Sequence, residues 1–166
     1  MELNQKTLRG ILAQILLVDE KYIVPKQGNW WNPQEQINSP DTWCAYIIRS
    51  NRAVTAPFYK ELDGKNCAVT EKIVTIDLQF VGPQSETIAQ SITMWPLRQD
   101  VSEVLSKVQG SIMYTDAEAK SSNFYQSGNN NVVAWNTTIK ILWYYILETT
   151  QSTWPQVTLN GTVKRL

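Results

Sequence analysis

The chain contains no histidine. That removes the usual zinc sites, the Ser-His-Asp triads and the Cys-His dyads from consideration. Cysteine is scarce as well, with only Cys44 and Cys67, too few for a disulfide framework. The pattern described below sets these two at opposite ends of a hairpin, roughly 35 Å apart along the ladder, so both are read as small buried or half-buried side chains. Neither sign of charge is in excess: fifteen basic and fifteen acidic residues cancel, leaving no bulk field to attract nucleic acid or an anionic membrane. The clearest basic group, Lys164 and Arg165, reads as a solvated tail. No run approaches the ~20 apolar residues that span a bilayer. Residues 1–20 carry charges throughout, without the apolar segment and small-residue cleavage site of a signal peptide. A soluble product made in the cytoplasm is expected. There is no P-loop or GxGxxG, no internal repeat, no low-complexity tract and no linker.

What is present is a very long strand pattern, Asn131 to Thr150. Val133, Trp135, Thr137, Ile139, Ile141, Trp143, Tyr145 and Leu147 alternate with Val132, Ala134, Asn136, Thr138, Lys140, Leu142, Tyr144 and Ile146. This period of two, filled with β-branched and aromatic residues, predicts a strand several times the usual length of about 5–6 residues. Such a strand must overhang its domain, bend at a bulge or pair with a neighbouring chain.

The rest of the chain supplies a single domain over residues 1–166, long enough to bury about 70% of its extended-chain surface. Asn4 is a plausible N-cap for a helix to about Asp19, with Leu8, Ile11, Leu12, Ile15 and Leu16 as its apolar stripe. Residues 20–41, with Pro25, Gly28, Pro33 and Pro40, read as a long loop. A hairpin follows: Thr42–Val54, a turn around Asp63-Gly64, then Cys67–Val81 with Val74, Ile76, Leu78 and Phe80 facing a core and Thr75, Asp77 and Gln79 facing water. After Gly82-Pro83, Ser85 is expected to cap a helix. The apolar set Ile88, Ile92, Trp95 lies roughly opposite the set Leu97, Val101, Val104, Leu105, Val108. Two helices are therefore predicted, about 85–95 and 98–108, broken at Pro96, with Gly110 ending the second. Ser111–Tyr114, Ser121–Tyr125 and Val157–Val163 complete the strands. The fold class is α+β: an antiparallel sheet with long strands, an N-terminal helix and a pair of helices packed on one face.

Little chemistry stands out. The acidic clusters Asp19-Glu20, Glu61/Asp63, Asp100/Glu103 and Asp116/Glu118 sit where helix ends, turns and exposed faces place acids anyway. A carboxylate-dependent hydrolase would have to rest on residues such as Glu61 or Asp100. The sequons Asn136-Thr137-Thr138 and Asn160-Gly161-Thr162 lie in strand patterns and are read as chance. The aromatics carry more weight. Trp30-Trp31 with Asn32, Gln34 and Gln36 has the texture of a sugar platform, of a protein–protein anchor, and of a loop folded back by its own tryptophans. Trp135 and Trp143, on one strand face, read first as core packing. No catalytic residue, cofactor or metal is expected.

The segment Thr75–Gly82, the helix with Ala89, the Arg98-x-Asp100-Val101 helix start and the Gly128-x-x-Asn131…Trp135 strand resemble neck or tail-terminator proteins of long-tailed bacteriophages. The resemblance is clearest over about 70–150 and also fits the N-terminal helix and the loop after it. It implies a small α+β structural virion protein without catalytic residues. Such a protein forms a ring, typically of six copies, at the head-proximal end of the tail. It stops tail-tube growth, touches the tail-tube or sheath protein and meets the head–tail connector. Membrane contact and specific nucleic-acid binding are not implied, although DNA passes through such rings. By that analogy the subunit-interface candidates are Trp30, Trp31, Asn129, Asn130, Trp135, Trp143 and Tyr145. Another head–tail adaptor, a tail-tube-like virion protein and a tryptophan-based carbohydrate-binding module are the alternatives.

Overall fold

The computed structural model describes residues 5–26, 39–62, 64–127 and 130–148, the side chains of 123–132 and 147–148 excepted. The first helix, α1 (Gln5–Leu16), buries Leu8, Ile11, Leu12, Ile15 and Leu16, the stripe that the spacing predicts. It stops where Leu17 adopts a left-handed φ of 56°, and Val18 N–H then donates back to Ala13 O at 3.3 Å. That 6→1 bond is the Schellman closure, normally built on glycine. The predicted cap Asn4 lies outside the described residues.

The stretch read as one long loop holds a 3₁₀ turn (Glu20–Tyr22) and a short strand, β1 (Ile23–Pro25), which pairs in parallel with β2 (Trp43–Ala53). β3 (Phe58–Leu62) turns through Gly64, at φ 73°, into β4 (Lys65–Val81). The predicted hairpin is therefore present but its outer arm is broken in two. β2 pairs with β4 from Lys72 to Val81, and β3 pairs with β4 from Lys65 to Val69.

Beyond Gly82 the chain forms α2 (Ser85–Ser91), a 3₁₀ segment (Ile92–Leu97) containing Pro96, and α3 (Gln99–Ser106). Ser85 does not cap α2. It is the first helical residue and is buried, while Gln84 N–H donates to Thr42 Oγ1 at 3.0 Å. The Ile92/Trp95 pair is buried and so are Val101 and Leu105, but Leu97 is 80% exposed. Three-residue periodicity around Pro96, then extended Arg98, turns Leu97 away from both apolar sets. α3 ends before Gly110: the reversal falls on Gln109, at φ 58°, and Gly110 opens β5 (Gly110–Thr115). β6 (Lys120–Ser127) and β7 (Asn130–Glu148) follow. The predicted Val157–Val163 strand lies outside the described residues.

The sheet runs β1-β2-β4-β7-β5, with β3 added to β4 and β6 added to β7. β7, 19 residues long, is therefore central. Its length is matched by the 17-residue β4 on one side, in an unbroken register from Cys67↔Glu148 to Phe80↔Trp135. On its other side β6 and then β5 cover it in succession. Val74, Ile76, Leu78, Phe80, Ile139, Ile141 and Trp143 make one face, and the helices close over it with Leu8, Leu12, Ile92, Trp95, Val101 and Leu105. Fully burying a side chain of this size contributes about 1.5–3 kcal/mol, so this single layer of helices on sheet carries the fold. Among the described residues, no helix is long and apolar enough to cross a membrane.

Candidate functional site

Two regions of the sheet lie outside this core. The first is its other face, centred on β4 and β7. Residues paired across a ladder point the same way, so Asp77 and Thr138 share this face, as do Gln79 and Asn136. Asp77 accepts from the Arg49 guanidinium and, at 3.2 Å, from Thr138 Oγ1. Gln79 donates to Asn136 Oδ1 at 2.9 Å, and Asn136 Nδ2 donates to Ser122 Oγ at 2.7 Å and Lys120 O at 3.3 Å. Because Lys120 O can only accept, the orientation of both amides follows from the chain of bonds. Gln79 Oε1 is left buried without a donor. A cleft of about 400 Å³ opens over these groups, and Lys26 and Lys120 line it without an acidic partner among the described residues. The face is polar and mixed in charge rather than strictly wet, since Gln79 is only 8% exposed.

The second region is the end of the sheet beyond the last core rows, Val74↔Ile141 and Lys72↔Trp143. Here β3, the start of β4 and the end of β7 form a three-stranded tongue. One row across it reads Phe58–Val69–Ile146, the next Lys60–Cys67–Glu148. Val69 and Cys67, in the middle, are 3% exposed, whereas Phe58 and Tyr59 at the margin are 40% and 56% exposed. A groove of about 370 Å³, lined by Phe58, Lys60, Val69, Gly110, Tyr144 and Ile146, runs beside it. β3 pairs with β4, and on the β5 side of β7 Tyr144 N–H donates to Gln109 O at 3.2 Å.

The interface candidates scatter. Trp30, Trp31 and Asn129 lie outside the described residues, and Asn130, which begins β7 opposite Ser127, is placed by its backbone alone. Trp143 is corrected: at 1% exposure it belongs to the core, stacked over Gly110, where an added Cβ would sit 3.3 Å from its ring. Trp135 is half-buried and packs at the rim of the same core. Tyr145 lies in the tongue, half-buried, with the Lys72 ammonium 4.5 Å from its ring centroid. The exposed aromatics the sequence reading passed over include Phe58 and Tyr59. Their one signal was adjacency to a turn, in a segment without alternation.

Several acids of the predicted clusters have structural partners, and Asp63 lies outside the described residues. Asp19 accepts from Lys21 N–H at 3.0 Å, which holds its carboxyl below the usual range. Arg98 does the same for Asp100. Glu103 accepts from Gln99 at 2.9 Å, and Asp116 accepts from Thr138 N–H at 2.8 Å. Among the described residues no three acidic or cysteine side chains converge on a point that could hold a metal. Burial pushes the Cys44 thiol far up, and both cysteines are free. The chain matches no protein-family model and no curated protein.

Proposed function

We propose that the chain is a structural subunit of a bacteriophage tail or neck, one copy of a ring that ends the tail tube and joins it to the head connector. The observation that carries this reading is the tongue. A small domain runs a three-stranded sheet end past its own core and leaves Phe58 and Tyr59 exposed at its margin. Exposed aromatics on a sheet end are a hazard in a monomer and an asset in a part that is built into something. The succession of elements, an N-terminal helix, a long hairpin, two helices broken at Pro96 and a long final strand, supports the same reading through its resemblance to tail terminators. The acids engaged in capping and pairing fit a structural role rather than a catalytic one. The virion is then the place of action, and the neighbours are other copies of the chain, the tail tube or sheath, and the connector.

Native mass analysis over a concentration series, with electron micrographs of the same samples, tests this. A closed oligomer near six times the 19.0 kDa subunit, seen as rings, is expected, either alone or on addition of tail tubes. A monomer at every concentration, with and without tubes, overturns it.

A further inference from the structure

We propose that the cleft on the outer face of the sheet binds a polyhydroxylated carboxylate, a sugar acid or a short chain of them. This goes beyond the ring reading and does not depend on it. The cleft, of about 400 Å³, is built across five adjacent strands. Lys26, whose N–H donates to Tyr46 O at 2.8 Å, continues β1 at one end, and Lys120 opens β6 at the other. Gln79 stands midway on β4, with β2 on one side and β7 on the other. Four strand spacings separate the two lysines, about 19 Å between backbones, and both side chains reach inward to line the same cleft.

The groups in the cleft call for different partners at its middle and at its ends. Over β4 and β7 the unmet need is for donors. Gln79 Oε1 is buried with no partner, in a residue that is 8% exposed, and an unmet buried acceptor is costly. Asp116 accepts from Thr138 N–H and Tyr114 O–H, and Asp77 from Arg49 and Thr138 Oγ1. A carboxylate has about four acceptor sites, so each can take a further donor. At the ends the unmet need is for an anion. Lys26 and Lys120 join no ion pair among the described residues. The lining as a whole sets three basic side chains, Arg49 with the two lysines, against the two acids.

Simpler ligands use only part of this pattern. A bare anion would meet the lysines but also face Asp77 and Asp116, and would leave Gln79 Oε1 unmet. A neutral sugar would serve the middle and neither lysine. A zwitterionic amino acid would bring an ammonium into a cleft that already has a surplus of positive charge. A ring that carries hydroxyls and a carboxylate satisfies both needs. Ile47, half-buried and opposite Asp77 in the ladder, offers the C–H face of such a ring an apolar surface. The volume also suits it, since small-molecule sites run to about 300–1,000 Å³. Because the lysines flank the middle on both sides, a ligand with a carboxylate at each end engages both.

Titration of the isotopically labelled full chain, followed by NMR, tests this. Digalacturonate is the probe, with lactose as the neutral control and glutarate as the dicarboxylate without hydroxyls. Digalacturonate is expected to shift the amides around Gln79, Asn136 and Thr138 with a Kd of about 1 mM at low salt, and to weaken as salt is added. Lactose and glutarate should bind about tenfold more weakly or worse. Lys26→Gln and Lys120→Gln, both at exposed positions, should keep the native circular dichroism and each weaken binding about two- to fivefold. Absence of shifts at tens of millimolar digalacturonate overturns the proposal. Glutarate binding as tightly as digalacturonate also overturns it, in favour of a plain anion site. Unchanged affinity in both lysine variants overturns the placement of the ligand in this cleft.

Discussion

Gln79 and Asn136, on adjacent strands, hold one another's side-chain amides in a fixed orientation through a single 2.9 Å bond from Gln79 Nε2 to Asn136 Oδ1. Because Gln79 is 8% exposed, water is a poor substitute for that partner.

Removing Asn136 therefore leaves two polar atoms of a buried amide unpaired in place of one. Asn136→Ala is expected to lower stability by about 1–3 kcal/mol in urea unfolding. The double change Gln79→Leu with Asn136→Leu should recover most of that loss, because it removes donor and acceptor together.

Gly82 sits at φ +126°, and a Cβ there would lie 2.8 Å from Asp41 O and from Thr42 Cα. Gly82→Ala should destabilise by about 1–3 kcal/mol or more, since both the backbone angle and the contact resist it. Gly10 makes the contrast: nothing lies within 4 Å of its added Cβ, and Gly10→Ala should stabilise α1 by about 0.5–1 kcal/mol. Opposite shifts of the urea midpoint are the measurement.

Leu17 closes α1 in a left-handed conformation while 85% exposed, so it has little burial to lose. Leu17→Gly is expected to raise the thermal midpoint, through a gain of about 0.5–1 kcal/mol. An unchanged or lowered midpoint would mean that Leu17 is held by a contact.

The Cys44 thiol keeps its proton in the folded chain well above its ordinary value of 9.0, because burial disfavours the thiolate. Above pH 9 the unfolded chain has lost that proton and the folded chain has not. Stability from this group is thus constant below pH 9 and declines above it, by about 1.4 kcal/mol per pH unit. Cys44→Ala should flatten that part of the pH profile. Folded protein should react slowly with a thiol reagent, and denaturant should release both cysteines.

Trp143 and Tyr145 separate core from surface two residues apart. Trp143→Ala should cost about 3–5 kcal/mol, as expected for a fully buried indole. Tyr145→Ala should cost much less in the single chain, about 1 kcal/mol, the scale of its cation–π contact with Lys72. Chemical unfolding of both variants checks the difference.

Much of the fold was legible because its signals are periodic. The α1 stripe, the alternation of β4 from Val74 to Phe80 and that of β7 from Val133 onward each name a buried face directly. β1 was not, since Ile23-Val24-Pro25 is too short to show a period and ends in proline. β3 was hidden too: Phe58-Tyr59-Lys60-Glu61-Leu62 does not alternate, because its strand lies at a margin with both faces partly open. Trp143, read first as core, stood among the interface candidates only by analogy with the family; alternation says which residues share a face, not where along the strand the helix cover begins. The tongue has no local signature at all. It arises where β4 and β7 run on past β2 and β5, a relation between strands far apart in sequence.

The same relation sets the order in which the molecule can be made. β7 is the centre of the sheet and the last strand described, and it pairs with β4 residues that precede it by more than half a hundred positions, as in Phe80↔Trp135. Until β7 emerges from the ribosome, β5, β6 and the inner side of β4 lack the strand they pair with, and the apolar faces of the helices have only part of a sheet to cover. Ladders of such long range are intrinsically slow to form. A nascent chain of this kind spends its synthesis with its core unfinished and then closes in one late step, which makes it a natural client for a holding chaperone.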